Sequence, residues 1–259
     1  MQEKRNLTMK NLLIGIIVVT ASILSGAAKT IVVVGNAQAC DYSLSLTNKG
    51  KNAPMTGWCE ALKPMLKKEV RVINWSGRRS TKILLNSGYW QKHVVNSVAS
   101  GRYVIVTFGT DDASTNKTIR TEASKDFAEN LKTMLADIRE RGGIPVLVSP
   151  VIRCTHGGRD RRTLSDNELF GYARAMKEVA KEDDVAFVDL TTLTFDFFKT
   201  MLPEEMRKYF MFYAPGVEKN YPKGISSITL LNRQGAEKAA ELFVLDAKRQ
   251  NLPIAELFE

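Results

Sequence analysis

Short apolar runs alternate with amphipathic segments along most of this chain. Five runs rich in β-branched residues are typical of strands, at residues 31–34, 70–73, 103–108, 145–149 and 185–190. Between several of them, apolar residues recur every three or four positions, as in a helix that buries one face. Because strands separated by helices join in parallel, the pattern predicts a three-layer α/β/α sandwich with about five parallel strands.

Helical periodicity is clearest in three segments, at residues 127–138, 169–180 and 236–245. The first is followed by Gly142 and Gly143, which terminate helices. A further helix is expected over residues 58–66, where Pro64 should bend it. A chain of 259 residues with 44% hydrophobic residues can form one α/β domain with a large core.

The first 28 residues have the pattern of a secretory signal peptide. Lys4, Arg5 and Lys10 precede an apolar run over residues 12–24, and small residues follow at 25–28. The run is short for a membrane span of about 20 residues, so no stable membrane anchor is expected after cleavage. We therefore predict one secreted or periplasmic domain over residues 29–259.

The charge of the chain is clearly basic. The whole sequence carries a net charge of +9, and residues 29–259 alone carry +7. Such a balance favours acidic partners, for example uronic-acid glycans, although an ordinary solvated basic surface has the same composition. No nucleic-acid-binding motif accompanies the charge, so a nucleic-acid partner is not expected.

Cysteine usage leaves the redox state open. The three cysteines are Cys40, Cys59 and Cys154. In an oxidising compartment one pair could form a disulfide, but the sequence does not select the pair. No spacing resembles a zinc site, and neither a metal nor another cofactor is predicted. The number of subunits is likewise left open.

Three short blocks carry a resemblance to a known family. Gly35-Asn36-Ala37 follows the first strand, Gly109-Thr110-Asp111-Asp112 follows the third, and Ser227 precedes Leu230 near the carboxyl end. In order and spacing the chain resembles the SGNH/GDSL hydrolase superfamily, in its rhamnogalacturonan acetylesterase branch. The resemblance implies a flavodoxin-like strand order, with the site at the carboxyl ends of the strands.

The catalytic positions that the resemblance implies are substituted. The family would have serine at position 37, aspartate at 227 and histidine at 230, where this chain has Ala37, Ser227 and Leu230. Serine hydrolysis needs a nucleophile, a base and a group that orients the base. Ester hydrolysis by the family's route is therefore not expected.

The oxyanion-binding positions are altered as well. The family's second-block glycine corresponds to Arg78, or to Gly77 if the alignment slips by one residue, and its asparagine corresponds to Asp111. An ionised carboxylate donates no hydrogen bond and would repel a developing oxyanion. Loss of one such donor alone costs roughly 100- to 1,000-fold in rate.

A few residues are candidates to replace the lost groups. His156 follows the fourth strand, at the expected edge of the sheet, and could act as a base. Cys40 could supply a thiol nucleophile, or be a small buried helix residue. Asp111 and Asp112 could form a carboxylate pair for acid–base work or for a cation, or a structural cap. His93 is expected on the surface.

Arginines are concentrated in two loops that the topology brings to one edge of the sheet. They form a predicted ligand-binding rim, since the planar guanidinium group binds carboxylates with two hydrogen bonds. The rim consists of Arg78, Arg79, Arg153, Arg159, Arg161 and Arg162. A solvated basic face is the alternative.

Three functional hypotheses follow from these features. The first is a non-catalytic protein on an esterase scaffold that binds acidic or acetylated polysaccharide. The second is an active secreted ester hydrolase that acts on acetylated pectin-type polysaccharide through substitute residues. The third is a structural or interaction module, because the fold alone does not determine function.

Overall fold

The computed structural model describes residues 29–43, 51–154 and 167–259. The predicted signal peptide over residues 1–28 lies outside the described residues. So do four predicted site residues, which are His156, Arg159, Arg161 and Arg162.

A parallel five-stranded sheet forms the centre of the domain. Its strand order is β2-β1-β3-β4-β5, and all four neighbouring pairs run parallel. The strands are β1 (Thr30–Gly35), β2 (Arg71–Asn74), β3 (Tyr103–Thr107), β4 (Ile144–Val148) and β5 (Ala186–Val188). The predicted fold class is confirmed, and each predicted strand corresponds to one of these five.

Helices cover both faces of this sheet. In β1, Ile31 and Val33 belong to one buried cluster, and Val32 and Val34 belong to the other, because successive side chains of a strand point to opposite faces. The helices are α1 (Trp58–Ala61), α2 (Thr81–Asn86), α3 (Ala128–Glu140), α4 (Leu169–Glu182), α5 (Leu190–Phe198), α6 (Pro203–Arg207) and α7 (Arg233–Arg249).

The two helical layers differ in their members. Residues of α2, α3 and α4 pack with Val32 and Val34, whereas residues of α1, α5, α6 and α7 pack with Ile31 and Val33. Two π-helical segments, Trp90–Val95 and Ala123–Phe127, join the first layer. The architecture is therefore a three-layer α/β/α sandwich.

The three clearest helix predictions are confirmed by α3, α4 and α7. Helix α3 ends as expected, since Gly142 has a φ of +72° and the Gly143 N–H donates to the Ile138 carbonyl. The helix expected over residues 58–66 is instead short. It consists of α1 followed by a 3-10 turn, Lys63–Met65, because Pro64 cannot continue an α-helix.

An antiparallel hairpin extends the fold near the carboxyl end. It pairs β6 (Phe210–Tyr213) with β7 (Ile225–Leu231). Phe212 pairs with Ser226 and Phe210 pairs with Leu231, so β7 carries extra residues between these two pairs. This bulge of β7 holds Ser227 and Leu230, and the sequence pattern did not predict it.

The cysteines do not form the disulfide that the sequence left open. Cys40, Cys59 and Cys154 are all buried, and no disulfide joins them. Within the described ranges, no helix combines the length and apolar character needed to cross a membrane. In the same ranges, no cluster of three or more His, Cys, Asp or Glu side chains could hold a metal ion.

Candidate functional site

Hydrogen bonds join the loops at the carboxyl edge of the sheet around the end of β1. The Gln38 side-chain amide donates from Nε2 to the Val151 carbonyl at 3.0 Å and to the Thr229 carbonyl at 3.2 Å. The Cys154 N–H donates to the Ile228 carbonyl at 2.8 Å. The turn after β1, the loop after β4 and the bulge of β7 therefore meet at one place.

The loops after β2 and β3 meet the same turn. The Asn36 N–H donates to the Thr107 carbonyl, and the Gly77 N–H donates to the Gly35 carbonyl at 2.9 Å. The Asn74 side chain donates to the Ala39 carbonyl at 2.7 Å. The structure thus brings together the segments that carry positions 37, 78, 111, 227 and 230 of the predicted site.

Ala37 begins a 3-10 turn, Ala37–Ala39, whose N-cap is Asn36. Its side chain is only 5% exposed and offers no atom that could attack an ester. The Tyr42 hydroxyl donates to the Ala37 carbonyl at 2.9 Å. Tyr42 therefore lies beside the position where the family's nucleophile would stand.

Gly77 and Arg78, the two candidates for the second-block glycine position, differ in their contacts. The Gly77 N–H already donates to Gly35, and a side chain added at Gly77 would lie 3.0 Å from the Arg79 guanidinium carbon. The Gly77 amide is therefore engaged within the protein. Arg78, the other candidate for the second-block glycine position, is exposed.

Asp111 is half-buried and lies between two arginines. Burial raises the pKa of its carboxyl, and the Arg153 and Arg78 guanidinium groups lower it. The buried oxygen Oδ2 has no hydrogen-bond partner within the protein. An acceptor therefore stands where the family has an amide donor.

Arg153 is held by neighbouring groups. It donates to the Thr110 carbonyl at 2.6 Å and forms an ion pair with Glu168. Burial lowers its pKa, whereas the Asp111 carboxylate raises it. Arg153 therefore fixes the Thr110 backbone and lies near Asp111, whereas Arg78, another arginine of the predicted rim, is exposed.

Asp112 has a different environment from Asp111. It is fully buried, and its Oδ1 atom accepts hydrogen bonds from the Thr81 amide, the Thr81 hydroxyl and the Thr121 hydroxyl. These contacts tie the start of α2 to the loop after β3. Through Oδ1, Asp112 thus forms the structural cap that the sequence allowed, while its buried Oδ2 atom has no hydrogen-bond partner within the protein.

Ser227 and Leu230 lie in the bulge of β7. The Ser227 Oγ atom accepts hydrogen bonds from the Leu230 N–H at 3.0 Å and from the Thr229 N–H at 3.3 Å. Its oxygen therefore caps the local backbone. Leu230 is half-buried and has no group that could accept a proton.

Cys40, the described candidate for a substitute nucleophile, is not disposed for catalysis. The Cys40 thiol donates to the Asn36 carbonyl, and burial raises its pKa to about 12, so it remains a neutral thiol. His93 packs its ring against Tyr89 and Trp75 in the segment Trp90–Val95 and is half-buried rather than fully on the surface.

Sequence reasoning treated Tyr42 as framework and did not select Gln38. Both lie within five residues of Ala37, and this proximity is the feature of the sequence that could have identified them as site residues. Burial raises the pKa of the Tyr42 hydroxyl, and the nearby Arg78 guanidinium opposes that rise. Tyr42 and Arg78 therefore lie close together beside Ala37.

Comparisons with known proteins identify the family to which this chain belongs. Residues 41–215 match the GDSL-like lipase/acylhydrolase family. The rhamnogalacturonan acetylesterase RhgT of Bacillus subtilis is 30% identical over 207 residues, which cover 79% of this chain and 85% of that protein. The probable rhamnogalacturonan acetylesterase YesY of the same organism is 30% identical over 209 residues, covering 80% and 90%.

Solved structures agree on the fold. A Bacillus subtilis protein of known crystal structure matches with a TM-score of 0.68 and 21% identity, over 87% of this chain and 57% of that one. The acetylxylan esterase Axe2 of Geobacillus stearothermophilus matches with a TM-score of 0.58 and 14% identity, over 85% and 94%. The chain therefore belongs to the GDSL-like lipase/acylhydrolase family of SGNH hydrolases, in its rhamnogalacturonan acetylesterase-like branch.

Proposed function

We propose that this protein is a non-catalytic member of its family that binds an acidic or acetylated polysaccharide in the cleft around Ala37. In this proposal, the secreted domain over residues 29–259 keeps the carbohydrate-esterase scaffold and uses it for recognition. The relatives named above supply the ligand class, since they are esterases of rhamnogalacturonan and acetylxylan.

The absence of ester hydrolysis rests on the groups present at the three chemical positions. Ala37 has no nucleophilic atom, Leu230 is no base, and the Ser227 oxygen is engaged by backbone amides. Cys40 does not compensate, because its thiol is buried and stays protonated at neutral pH. Loss of nucleophile and base together removes the contribution of the whole triad.

The observation that carries the binding proposal is a cluster of unpaired buried polar atoms. Nine buried side-chain polar atoms of the described residues lack a hydrogen-bond partner within the protein, and seven of them belong to residues in the loops after β1, β2, β3 and β4. The seven are Asn36 Nδ2, Gln38 Oε1, Ser76 Oγ, Thr110 Oγ1, Asp111 Oδ2, Asp112 Oδ2 and Arg153 Nε.

Such atoms are costly unless something binds them. Each buried unsatisfied group costs about 1–3 kcal/mol, and native proteins keep few of them. A purely structural module would gain stability from apolar side chains at these positions. Donors and acceptors of both kinds are what a hydroxyl-rich sugar requires, whereas Arg78 and Arg79 suit a carboxylate.

The first experiment measures binding. Calorimetric titration of residues 29–259 with oligogalacturonides should detect association that weakens with added salt, since charge pairs at an exposed site are screened over about 10 Å at 0.1 M. Arg78→Ala should weaken it. Arg71→Ala is the matched control, because Arg71 is an exposed arginine at the opposite edge, where β2 begins.

The second experiment measures catalysis. The same protein should hydrolyse p-nitrophenyl acetate no faster than an inert protein of similar size, and a fluorophosphonate probe should label no single site. Stoichiometric labelling would instead support the alternative of an active hydrolase. Equal affinity for acidic and neutral oligosaccharides, or no binding of either, would favour the structural module.

A further inference from the structure

A second cavity lies beside the cleft and is separate from it. Its volume is about 530 Å³, and it opens between α2 and the π-helical segment Trp90–Val95. The lining side chains that matter are Arg79, Ser87, Tyr89, Lys92 and His93. Of the described residues that line this cavity, none is acidic.

Arg79 links the cavity to the cleft. Its guanidinium carbon lies 3.8 Å from the centre of the Tyr89 ring and close against the Gly77 backbone. Gly77 in turn is bonded to Gly35, two residues before Ala37. The Arg79 side chain thus lies between the two sites, and a ligand that extends from the cleft along the loop after β2 would contact it.

An aromatic stack holds the basic groups of the cavity in place. The His93 ring lies 4.4 Å from the Tyr89 ring and 5.2 Å from the Trp75 ring, and the Trp75 indole donates to the Ser97 hydroxyl at 2.8 Å. A guanidinium group fixed over an aromatic ring loses little freedom when it binds an anion. Lys92 adds an exposed cation.

We propose that this cavity is a second carbohydrate subsite that takes the carboxylate of an acidic sugar adjacent to the sugar in the cleft. The subsite rests on the proposed function, because the cleft holds the rest of the same oligosaccharide. Arg79 and Lys92 bind the carboxylate, and the His93 ring lines the cavity beside the sugar hydroxyls; the Ser87 hydroxyl already donates to the Leu84 carbonyl and can only accept from the sugar. An acidic trisaccharide therefore binds more tightly than the acidic monosaccharide.

The test compares galacturonate with trigalacturonate and follows the cavity directly. The chain has only two histidines and three tryptophans, and of the tryptophans Trp58 and Trp90 are fully buried. Imidazole resonances, assigned with His93→Gln, and Trp75 fluorescence, assigned with Trp75→Phe, therefore report on the cavity. Trigalacturonate should perturb both signals, and galacturonate at cleft-saturating concentration should perturb them much less.

Variants separate the two sites. Lys92→Ala should reduce trigalacturonate affinity about twofold to fivefold, the range for one exposed ion pair, and leave galacturonate affinity unchanged. Lys177→Ala, which removes an exposed lysine from α4, is the control and should change neither. Neutral trisaccharides should not gain over their monosaccharides at this cavity.

The outcomes also separate the subsite from the proposed function. If both ligands bind in a way that Arg78→Ala weakens, but trigalacturonate binds no better than galacturonate or neither Lys92→Ala nor the His93 signal responds, the subsite is overturned and the cleft proposal stands. If trigalacturonate perturbs His93 and depends on Lys92 but not on Arg78, the cavity binds and the cleft proposal fails.

Discussion

The ionisation of Asp112 is expected to destabilise the folded protein as the pH rises from 4 to 7. Its side chain is fully buried, and only Oδ1 is bonded, to Thr81 and Thr121. Burial raises the pKa of this carboxyl to about 6, against the lowering effect of those hydrogen bonds. The ordinary value is 3.8, so the folded state binds the proton more tightly than the unfolded state.

The direction and size of the effect follow from proton linkage. A carboxyl whose pKa is raised in the folded state stabilises the protein below the unfolded pKa, and this contribution is lost as the pH rises through the folded pKa. A difference of about two pKa units corresponds to about 3 kcal/mol. Roughly 2 kcal/mol of this should disappear between pH 4.5 and 7.5.

Asp112→Asn is the variant that isolates this effect. Asparagine keeps the Oδ1 acceptor for its three donors and places an uncharged amide where the unbonded Oδ2 lies. Urea denaturation from pH 4.5 to 7.5 gives the free energy of unfolding of both proteins. We expect the stability of the variant relative to the native chain to rise by roughly 2 kcal/mol over this range.

A control substitution tests whether the effect belongs to the buried site. Asp196→Asn removes an exposed carboxylate that pairs with Lys199 on the surface, and it should leave the pH dependence unchanged. If the Asp112→Asn and native curves run parallel, or if the native chain gains stability toward pH 7.5 relative to the variant, the buried-carboxylate explanation is refuted.

Three further predictions concern the site. Iodoacetamide at pH 8 should modify Cys40 and Cys154 only after urea unfolding, because burial raises their pKa values to about 12 and about 11; rapid labelling in the folded state, detected by mass spectrometry, would contradict this. Gln38→Leu should destabilise the domain by about 1–3 kcal/mol, since the Val151 and Thr229 carbonyls lose their common donor. An unchanged urea midpoint would show that these two hydrogen bonds do not stabilise the domain. A further variant restores the family residues through Asn36→Asp, Ala37→Ser, Asp111→Asn, Ser227→Asp and Leu230→His. It should gain weak acetylesterase activity, if necessary with Arg78→Gly added. In calorimetry it should melt at a lower temperature than the native chain, because polar site residues cost stability.

The central sheet was predictable because its strands carry an unambiguous signal. Residues 31–34 are all apolar and β-branched, and both faces of β1 are buried, so no alternation confuses the pattern. Helices α3, α4 and α7 likewise bury one face each. Their apolar spacing is therefore sufficient to identify them.

The hairpin was missed because its second strand is irregular. In β7 only Leu231 is fully buried, and the extra residues opposite β6 interrupt the alternation that identifies a strand. Helix α5 was missed for a related reason. Its sequence, residues 190–198, is rich in Thr and Phe, which favour strands in isolation, and tertiary packing overrides this preference.

The positions of the site could be predicted, but their contacts could not. The strand-end rule predicted that positions 37, 78 and 111 lie at one edge of the sheet, and the family blocks added positions 227 and 230, whose hairpin reaches that edge through the Gln38 side chain. The hydrogen bond from the Gly77 N–H to the Gly35 carbonyl depends on the path of the backbone, and the contacts of Arg153 with Glu168 and of Tyr42 with Ala37 depend on side-chain geometry. Residue spacing carries no information about such contacts.

The substitutions at the cleft change the kind of ligand that the same backbone can hold. A hydrolase of this fold must stabilise a transient negative charge beside its nucleophile. Here the buried acceptor Asp111 Oδ2 and the buried donor Asn36 Nδ2 remain unpaired within the protein. Under the proposed function, this donor and this acceptor would bind a neutral, hydroxyl-bearing group in its ground state.

The positive charge at the cleft comes from the arginines at its rim. Arg153 is partly neutralised by Glu168 and by Asp111, so its charge contributes little to an incoming ligand. Arg78 is exposed at the cleft, and Arg79 is fixed on Tyr89 at the adjoining cavity. Under the proposed function, sugar hydroxyls would bind in the interior and carboxylates at the rim, which is the combination that an acidic polysaccharide presents and an ester in its transition state does not.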